Sequence, residues 1–110
     1  MRAYEVMVIV DADLEEETIR ASVEKWLKLI ESHGAVRGYI DFWGKRRLAY
    51  EIKKKTEGYY VVMQARSEPP AMAELHRVLS LADEVMRHKV LRVPESAYGP
   101  PEAASSVAAE

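Results

Sequence analysis

The chain has 110 residues, of which 48% are hydrophobic and 31% are charged, so it can form one domain with a hydrophobic core but not two of ordinary size. It contains no cysteine, which excludes disulfides, thiolate metal sites and a cysteine nucleophile. The net charge is −2, but residues 35–66 hold eight Lys and Arg against three Asp and Glu, so positive charge is concentrated in the middle. No apolar run approaches the roughly 20 residues that a bilayer requires, and we expect a cytoplasmic protein.

The first third of the chain predicts a strand followed by a helix. Residues 4–10 are almost all apolar and rich in β-branched side chains, as in a strand that is covered on both faces. The segment Asp11–Asp13 offers a helix N-cap, and three glutamates follow it, so we expect a helix from about Leu14. Gly34 is a natural end for this helix. Its apolar stripe consists of Ile19, Val23, Trp26, Leu27 and Ile30.

The middle of the chain predicts a long β-hairpin. Residues 36–52 contain a strand-like pattern that is interrupted by Gly44, where we expect a bulge or a bend. Residues 53–58, Lys-Lys-Lys-Thr-Glu-Gly, read as a polar turn. Residues 59–65 are again nearly all apolar and predict the second strand of the hairpin.

The last third predicts a helix, a strand and a tail. Pro69 and Pro70 can open a helix, since a missing N–H is harmless in the first turn, and residues 85–93 read as a final strand. Residues 94–110 are rich in Pro, Ala, Ser and Glu, so we expect a flexible tail after a domain at 1–93. The order βαββαβ predicts an α+β, ferredoxin-like fold with a four-stranded antiparallel sheet and two helices on one face. The other face and both edge strands are then free for a partner.

One contiguous stretch carries a family resemblance. Residues 43–52 read Trp-Gly-Lys-Arg-Arg-Leu-Ala-Tyr-Glu-Ile and are followed by Lys53 and by Gly-Tyr-Tyr at 58–60. This resembles the signature of the sixth protein of the bacterial small ribosomal subunit, which carries a Gly-x-Arg-Arg-Leu-Ala-Tyr run. The start of the chain and its basic last strand are also similar to that family, over roughly residues 1–93. Glu51 stands where many members have proline.

The resemblance implies a structural constituent of the small (30S) subunit that binds 16S ribosomal RNA together with the eighteenth protein of that subunit. It implies no enzymatic activity, catalytic residue, cofactor or metal. Arginines beside a bulge can contact an RNA backbone from both faces of a sheet, and we expect the partner protein at the edge formed by the Arg-Leu-Ala-Tyr strand. The candidate RNA- and partner-binding residues are Arg2, Tyr4, Lys45, Arg46, Arg47, Leu48, Tyr50, Arg87, Lys89 and Arg92.

Simpler interpretations remain open at this point. Residues 45–47 can be a solvated edge strand that discourages aggregation, and the tyrosines are more often core residues than platforms for bases. An acyl-phosphate hydrolase is disfavoured because residues 11–14 are acidic and lack the glycines of a phosphate loop. A ligand-sensing or self-associating ferredoxin-like module without RNA remains an alternative. The three histidines show no zinc spacing, so we expect no metal site.

Overall fold

The structure, a computed structural model, describes residues 1–99. Its elements occur in the predicted order, and one short 3-10 helix, Glu95–Ala97, follows them. The strands and helices are β1 (Arg2–Asp11), α1 (Glu16–Ser32), β2 (Val36–Ile52), β3 (Lys55–Ser67), α2 (Pro69–Leu81) and β4 (Val85–Arg92). No helix among these residues is long and apolar enough to cross a bilayer.

The four strands form one sheet in the order β2-β3-β1-β4, and every neighbouring pair is antiparallel. The central strands are β1 and β3, and the edges are β2 and β4. Both helices pack on the same face of this sheet, because residues of α1 and α2 share one hydrophobic cluster with alternate residues of β1. The ferredoxin-like architecture predicted from the sequence is therefore confirmed.

The main core lies between the helices and the sheet. From β1 it takes Val6, Val8 and Val10, which are at most 2% exposed and point to the same face, as residues two apart on a strand must. The five apolar residues of the predicted α1 stripe are all buried there, as the 3.6-residue period requires. Burial of this set at about 25 cal/mol per Å² of apolar area is the main contribution to stability.

A second, smaller cluster lies on the opposite face of the sheet, which we call the open face. It consists of Ile9, Leu48 and Met86, each 8–9% exposed. Ile9 belongs to a central strand, whereas Leu48 comes from the far half of β2 and Met86 from β4. This cluster therefore links the β2–β3 hairpin to the opposite edge of the sheet.

Two local predictions were wrong in detail. Helix α1 begins at Glu16, and its N-cap residue Glu15 makes no side-chain cap bond. The backbone N–H of Asp13 instead donates to Oδ1 of Asp11 at 2.9 Å, so the aspartates form a turn before the helix. The hairpin turn consists of two residues rather than six, because Lys53 and Lys54 adopt φ angles of 50° and 64° and β3 begins immediately after them.

The predicted irregularity at Gly44 is confirmed as a bulge. The pairing of β2 with β3 shifts register between Phe42 and Gly44, and Gly44 has a φ of 88°. This left-handed conformation strains residues that carry a Cβ, so glycine is the favoured residue there. The bulge turns the far half of β2, which contains the basic residues, relative to the first half.

The segment after β4 lies against the open face. The side chain of Gln64 donates to the carbonyl of Ala97 at 3.0 Å and accepts from the N–H of Gly99 at 2.8 Å. Arg66 pairs with Glu95 at 2.6 Å. Residues 94–99 thus contact the sheet, and 100–110 lie outside the described residues. The boundary at residue 93 and the flexibility of the tail stay predictions.

Candidate nucleic-acid interface

The β2–β3 hairpin extends past the end of the central sheet and is fixed over its open face. Pairing of β1 with β3 ends at Asp11 and Gly58, whereas β2 and β3 continue to the turn at residues 53 and 54. Leu48 of this extension belongs to the open-face cluster, and Nζ of Lys53 donates to the carbonyl of Val85 at 3.1 Å. The hairpin is therefore held next to the start of β4.

Gly58, in β3, lies where the hairpin packs tightly against Ile9 of β1. A Cβ built on this glycine would lie 2.4 Å from Cγ2 of Ile9 and 3.4 Å from Cδ2 of Leu48. A larger residue would force the Ile9 side chain or the hairpin to shift, since no real Cβ is found at such a distance from a carbon atom. The glycine before the tyrosine pair thus allows the hairpin to pack on the sheet.

Three cations share the open face around this contact. Arg46 is paired in register with Gly58, above the open-face cluster, while Arg87 and Lys89 are paired with Ile9 and Met7. Residues that face each other on antiparallel strands project to the same side. We call Arg46, Arg87 and Lys89 the basic surface, and all three are exposed.

Tyr50 lies beside the basic surface and is 58% exposed. The guanidinium of Arg87 contacts the Tyr50 hydroxyl and lies 5.5 Å from the centre of its ring. An open groove of about 490 Å³ separates the hairpin from β4 here, lined by Met7, Ile9, Tyr50, Arg87, His88 and Lys89. The groove combines an apolar floor, an aromatic ring and cationic walls.

The cations of the basic surface form no ion pair among residues 1–99, a property that they share with Lys25, Lys28, Lys53 and Lys54. None of the three residues of the basic surface lies within 4 Å of a carboxylate oxygen among residues 1–99, and the same holds for the predicted residues Arg2, Lys45, Arg47 and Arg92. Cations that do form ion pairs within this range are Arg20, Arg37, Lys55, Arg66 and Arg77. The seven basic residues selected from the sequence are thus all left without a carboxylate partner in the described part of the chain.

The other predicted residues lie elsewhere. Lys45 and Arg47 are exposed on the opposite side of the hairpin, because side chains alternate along β2. Arg2 and Arg92 lie at the far end of the sheet, where they line a second groove of about 410 Å³. The candidates therefore form three groups rather than one patch.

Two of the predicted residues are buried. Tyr4 is 9% exposed and belongs to the main core, and Leu48 is 8% exposed in the open-face cluster. Neither side chain is presented on the surface of the free chain. Both side chains instead pack in apolar clusters that stabilise β1 and the hairpin.

The sequence did not indicate a polar network at the other end of the open face. Gln64 is 2% exposed and donates to Glu5 Oε1 at 3.0 Å, and Asp41 is 1% exposed and accepts a bond from Trp43 Nε1 at 3.1 Å. The second oxygen of Asp41 has no hydrogen-bond partner among the described residues. The feature of the sequence that could have indicated this network is Gln64, a polar residue within the otherwise apolar run 59–65.

Electrostatics divides the open face into two ends. Burial raises the pKa of the Tyr39 hydroxyl, and the nearby carboxylates of Glu5 and Asp41 raise it further. The carboxylates of Glu5 and Asp41 thus lie at this end, while the end at the hairpin tip carries the basic surface. Among residues 1–99 no group of three or more His, Cys, Asp or Glu could hold a metal ion.

Comparisons with known proteins give a consistent result. Residues 3–92 match the family model described as Ribosomal protein S6. The chain is 50% identical over 95 residues to the small ribosomal subunit protein bS6 of Desulforamulus reducens, covering 86% of this chain and 100% of that protein. It is 48% identical over 92 residues to the protein of the same name from a Nocardioides species, covering 84% and 96%.

A solved structure agrees with these relatives. The crystal structure of 30S ribosomal protein S6 from Thermotoga maritima superposes with a TM-score of 0.79 at 32% sequence identity. The match covers 84% of this chain and 87% of that one. The resemblance that was drawn from residues 43–60 is confirmed.

Proposed function

This chain belongs to the ribosomal protein S6 family and is a component of the cytoplasmic small ribosomal subunit, and from that premise we propose that it binds 16S ribosomal RNA together with the eighteenth small-subunit protein. The named relatives are structural proteins of the ribosome, and the chain is not an enzyme. In this proposal residues 1–93 form the RNA-binding domain and residues 94–110 are a separate tail.

The observation that carries the RNA proposal is the grouping of exposed cations with the exposed ring of Tyr50 at one groove of the open face. Arg46, Arg87 and Lys89 come from two strands at opposite edges of the sheet, and no carboxylate of residues 1–99 lies within 4 Å of them. Like charges on one surface repel each other, and a polyanion removes that repulsion while it releases its own counterions. The planar guanidinium groups suit phosphate oxygens in two-point contacts.

The exposed ring of Tyr50 adds a second kind of contact. Recognition of folded RNA uses unstacked bases, and aromatic rings and guanidinium planes both stack on them. Tyr50 and Arg87 stand together beside the groove, with Met7 and Ile9 at its floor. We propose that a base of a loop or bulge enters this groove while Arg46 and Lys89 contact the adjacent phosphates.

The remaining cations extend the proposed contact. Arg46 and Arg47 are neighbours on β2 and project to opposite sides of the hairpin, so the tip can lie between two backbone segments of a folded RNA. Lys45 belongs to the same side as Arg47. Arg2 and Arg92 form a second contact at the far end of the sheet.

For the protein partner we propose the edge of β2. No strand pairs with the outer side of β2 among residues 1–99, and Val36 near its start is 52% exposed. The N–H of Tyr39 donates to the carbonyl of Gly99 at 3.1 Å, so a strand added at this point would displace Gly99. An exposed edge accepts an added strand through backbone hydrogen bonds.

The RNA proposal is tested by removing the basic surface. In the presence of the partner protein, the triple variant R46A/R87A/K89A should bind a 16S central-domain fragment at least about tenfold more weakly than the wild type at moderate salt. The matched control K25A/K28A/R77A removes three charges from exposed helix positions and should bind like the wild type. An equal loss of RNA affinity in both variants would show that only net charge matters, and it would contradict a defined RNA-binding surface.

The partner proposal is tested by hydrogen exchange. Addition of the purified eighteenth protein should slow exchange of amides in β2 and leave those in β4 unchanged, because an added strand protects only the edge that it pairs with. Protection of β4 alone would place the partner at the other edge. No protection at either edge at saturating partner would rule out strand addition.

A further inference from the structure

Two histidines that are twelve residues apart in the chain meet on the helix side of β4. Nδ1 of His76, on α2, lies 2.9 Å from Nε2 of His88, on β4, and the ring centres are 4.8 Å apart with planes tilted by 59°. His76 is exposed and His88 is half-buried. The sequence pattern gave no indication of this pair, because the contact depends on how α2 packs against the edge strand.

The two nitrogens lie at hydrogen-bond distance, and the same spacing also fits a metal chelate of a particular geometry, in which the ion replaces the proton between the rings. Imidazole nitrogens bind divalent ions at about 2.0–2.1 Å, so two nitrogens 2.9 Å apart subtend an angle of about 90° at a shared ion. A tetrahedral ion would require a separation of about 3.3 Å. Right angles between neighbouring ligands are typical of square-planar and tetragonal sites, which Cu²⁺ and Ni²⁺ prefer with nitrogen ligands.

The protein supplies two ligands to this ion. Within residues 1–99 no third His, Cys, Asp or Glu completes a larger cluster, so water would fill the remaining coordination positions.

We propose that His76 and His88 form a two-histidine chelate for a divalent late first-row transition metal ion, Ni²⁺ or Cu²⁺. The site lies between α2 and β4 on the helix side of the sheet, whereas Arg87 and Lys89 project from β4 to the open face. His88 also borders the groove proposed for RNA, but its Nε2 faces His76, and neither metal ligand is among the residues proposed to contact RNA, so each proposal can fail without the other.

The first experiment is titration of the metal-free, tag-free chain with NiCl₂ by isothermal calorimetry. The wild type should bind one ion, and H76Q and H88Q should each bind at least about tenfold more weakly, because a chelate loses affinity steeply when one ligand is removed. The matched control is H33Q, since His33 lies at the end of α1 and its ring bonds to the neighbouring residues Leu29 and Ser32, away from the His76–His88 pair. Its affinity should equal that of the wild type.

A second measurement uses only the wild type, so its result does not depend on whether the variants fold. In the NMR spectrum of the wild type, substoichiometric Ni²⁺ should broaden the imidazole resonances of His76 and His88 and spare those of His33. Equal broadening of all three rings, or wild-type affinity in H76Q and H88Q, would overturn the proposal. So would the absence of binding to the wild type at millimolar Ni²⁺.

Discussion

Arginines occupy two contrasting environments on the same edge strand. Arg37, near the start of β2, donates four hydrogen bonds of 2.8–3.0 Å to Glu24 and Glu31 of α1, and its side chain is 26% exposed. Arg46, in the far half of the same strand, lies near no carboxylate of residues 1–99 and is exposed. Arg37 thus stabilises the fold, whereas Arg46 remains accessible to a binding partner.

The difference follows from what packs beside each end of β2. The start of the strand lies next to α1, whose polar side carries the glutamates that neutralise Arg37. The far half passes the bulge at Gly44 and belongs to the hairpin extension, where the basic surface is held by an apolar cluster instead. An edge strand can therefore stabilise the domain with one end and present cations to a polyanion with the other.

The largest effect on stability among these changes is expected from the apolar contact that holds the hairpin. Leu48→Ala leaves a cavity against Ile9 and Met86, and we expect the free energy of unfolding to fall by about 2–3 kcal/mol. RNA affinity should fall as well, although no charge is removed, because the hairpin that carries Arg46 is no longer fixed over the open face. Urea denaturation measures the first effect. A loss below about 0.5 kcal/mol would contradict a structural role for this cluster.

The next largest effect on stability is expected at Arg37, which is paired with Glu24 and Glu31. Arg37→Met leaves Glu24 and Glu31 without their partner, and we expect a loss of about 1–2 kcal/mol, reduced from the value of a buried pair because both glutamates are in contact with water. RNA affinity should not change. Arg37→Lys keeps the charge but not the planar fork, so its stability should lie between those of the wild type and Arg37→Met.

The pH dependence of stability should report the same pairs. Hydrogen bonds from Arg37 hold the pKa of Glu24 and of Glu31 below the ordinary glutamate value of about 4.3. Groups whose pKa is lowered in the folded state stabilise it above the ordinary value and lose this contribution as the pH falls through the lowered pKa. The stability gap between wild type and Arg37→Met should therefore narrow below pH 4. If the difference in free energy of unfolding between the two proteins stayed constant down to pH 2, the contribution assigned to these ion pairs would be contradicted.

The smallest effect on stability is expected at the basic surface. The variant R46A/R87A/K89A removes three exposed cations without carboxylate partners, so the free energy of unfolding should stay within about 0.5 kcal/mol of the wild type. Thermal denaturation at low and moderate salt checks this. A loss of more than about 1 kcal/mol would mean that these side chains belong to the fold rather than to a binding surface.

The parts of the fold that depend on local pattern were predictable. The stripe of α1 and the buried run of β3 follow from side-chain period alone, and the bulge was indicated by Gly44 inside a strand pattern. The two-residue hairpin turn was not predictable, because the pairing of β2 with β3 becomes irregular after Arg47 and resumes between Ile52 and Lys55, within a run of polar residues. The sharp turn uses positive φ at two lysines, where asparagine or glycine is usual.

The candidate site was predictable as a set of residues but not as an arrangement. Residues 45–48 and Tyr50 were selected through a contiguous motif, and the alternation of side chains places Arg46 and Arg47 on opposite sides of β2. The neighbourhood of Tyr50 and Arg87 depends on the hairpin folding over the open face, which no local pattern encodes. The same holds for the pairing of Arg37 with α1 and for the contact between His76 and His88.

The salt dependence of RNA affinity tests the central contrast most directly. It requires the slope of log K against log salt concentration for the wild type, Arg37→Met and R46A/R87A/K89A, each with the partner protein present. Each phosphate contact contributes roughly 0.7–0.9 to that slope, so we expect it to decrease in magnitude by about two in the triple variant and to stay unchanged in Arg37→Met. Equal slopes in all three proteins would contradict the assignment of the basic surface to RNA.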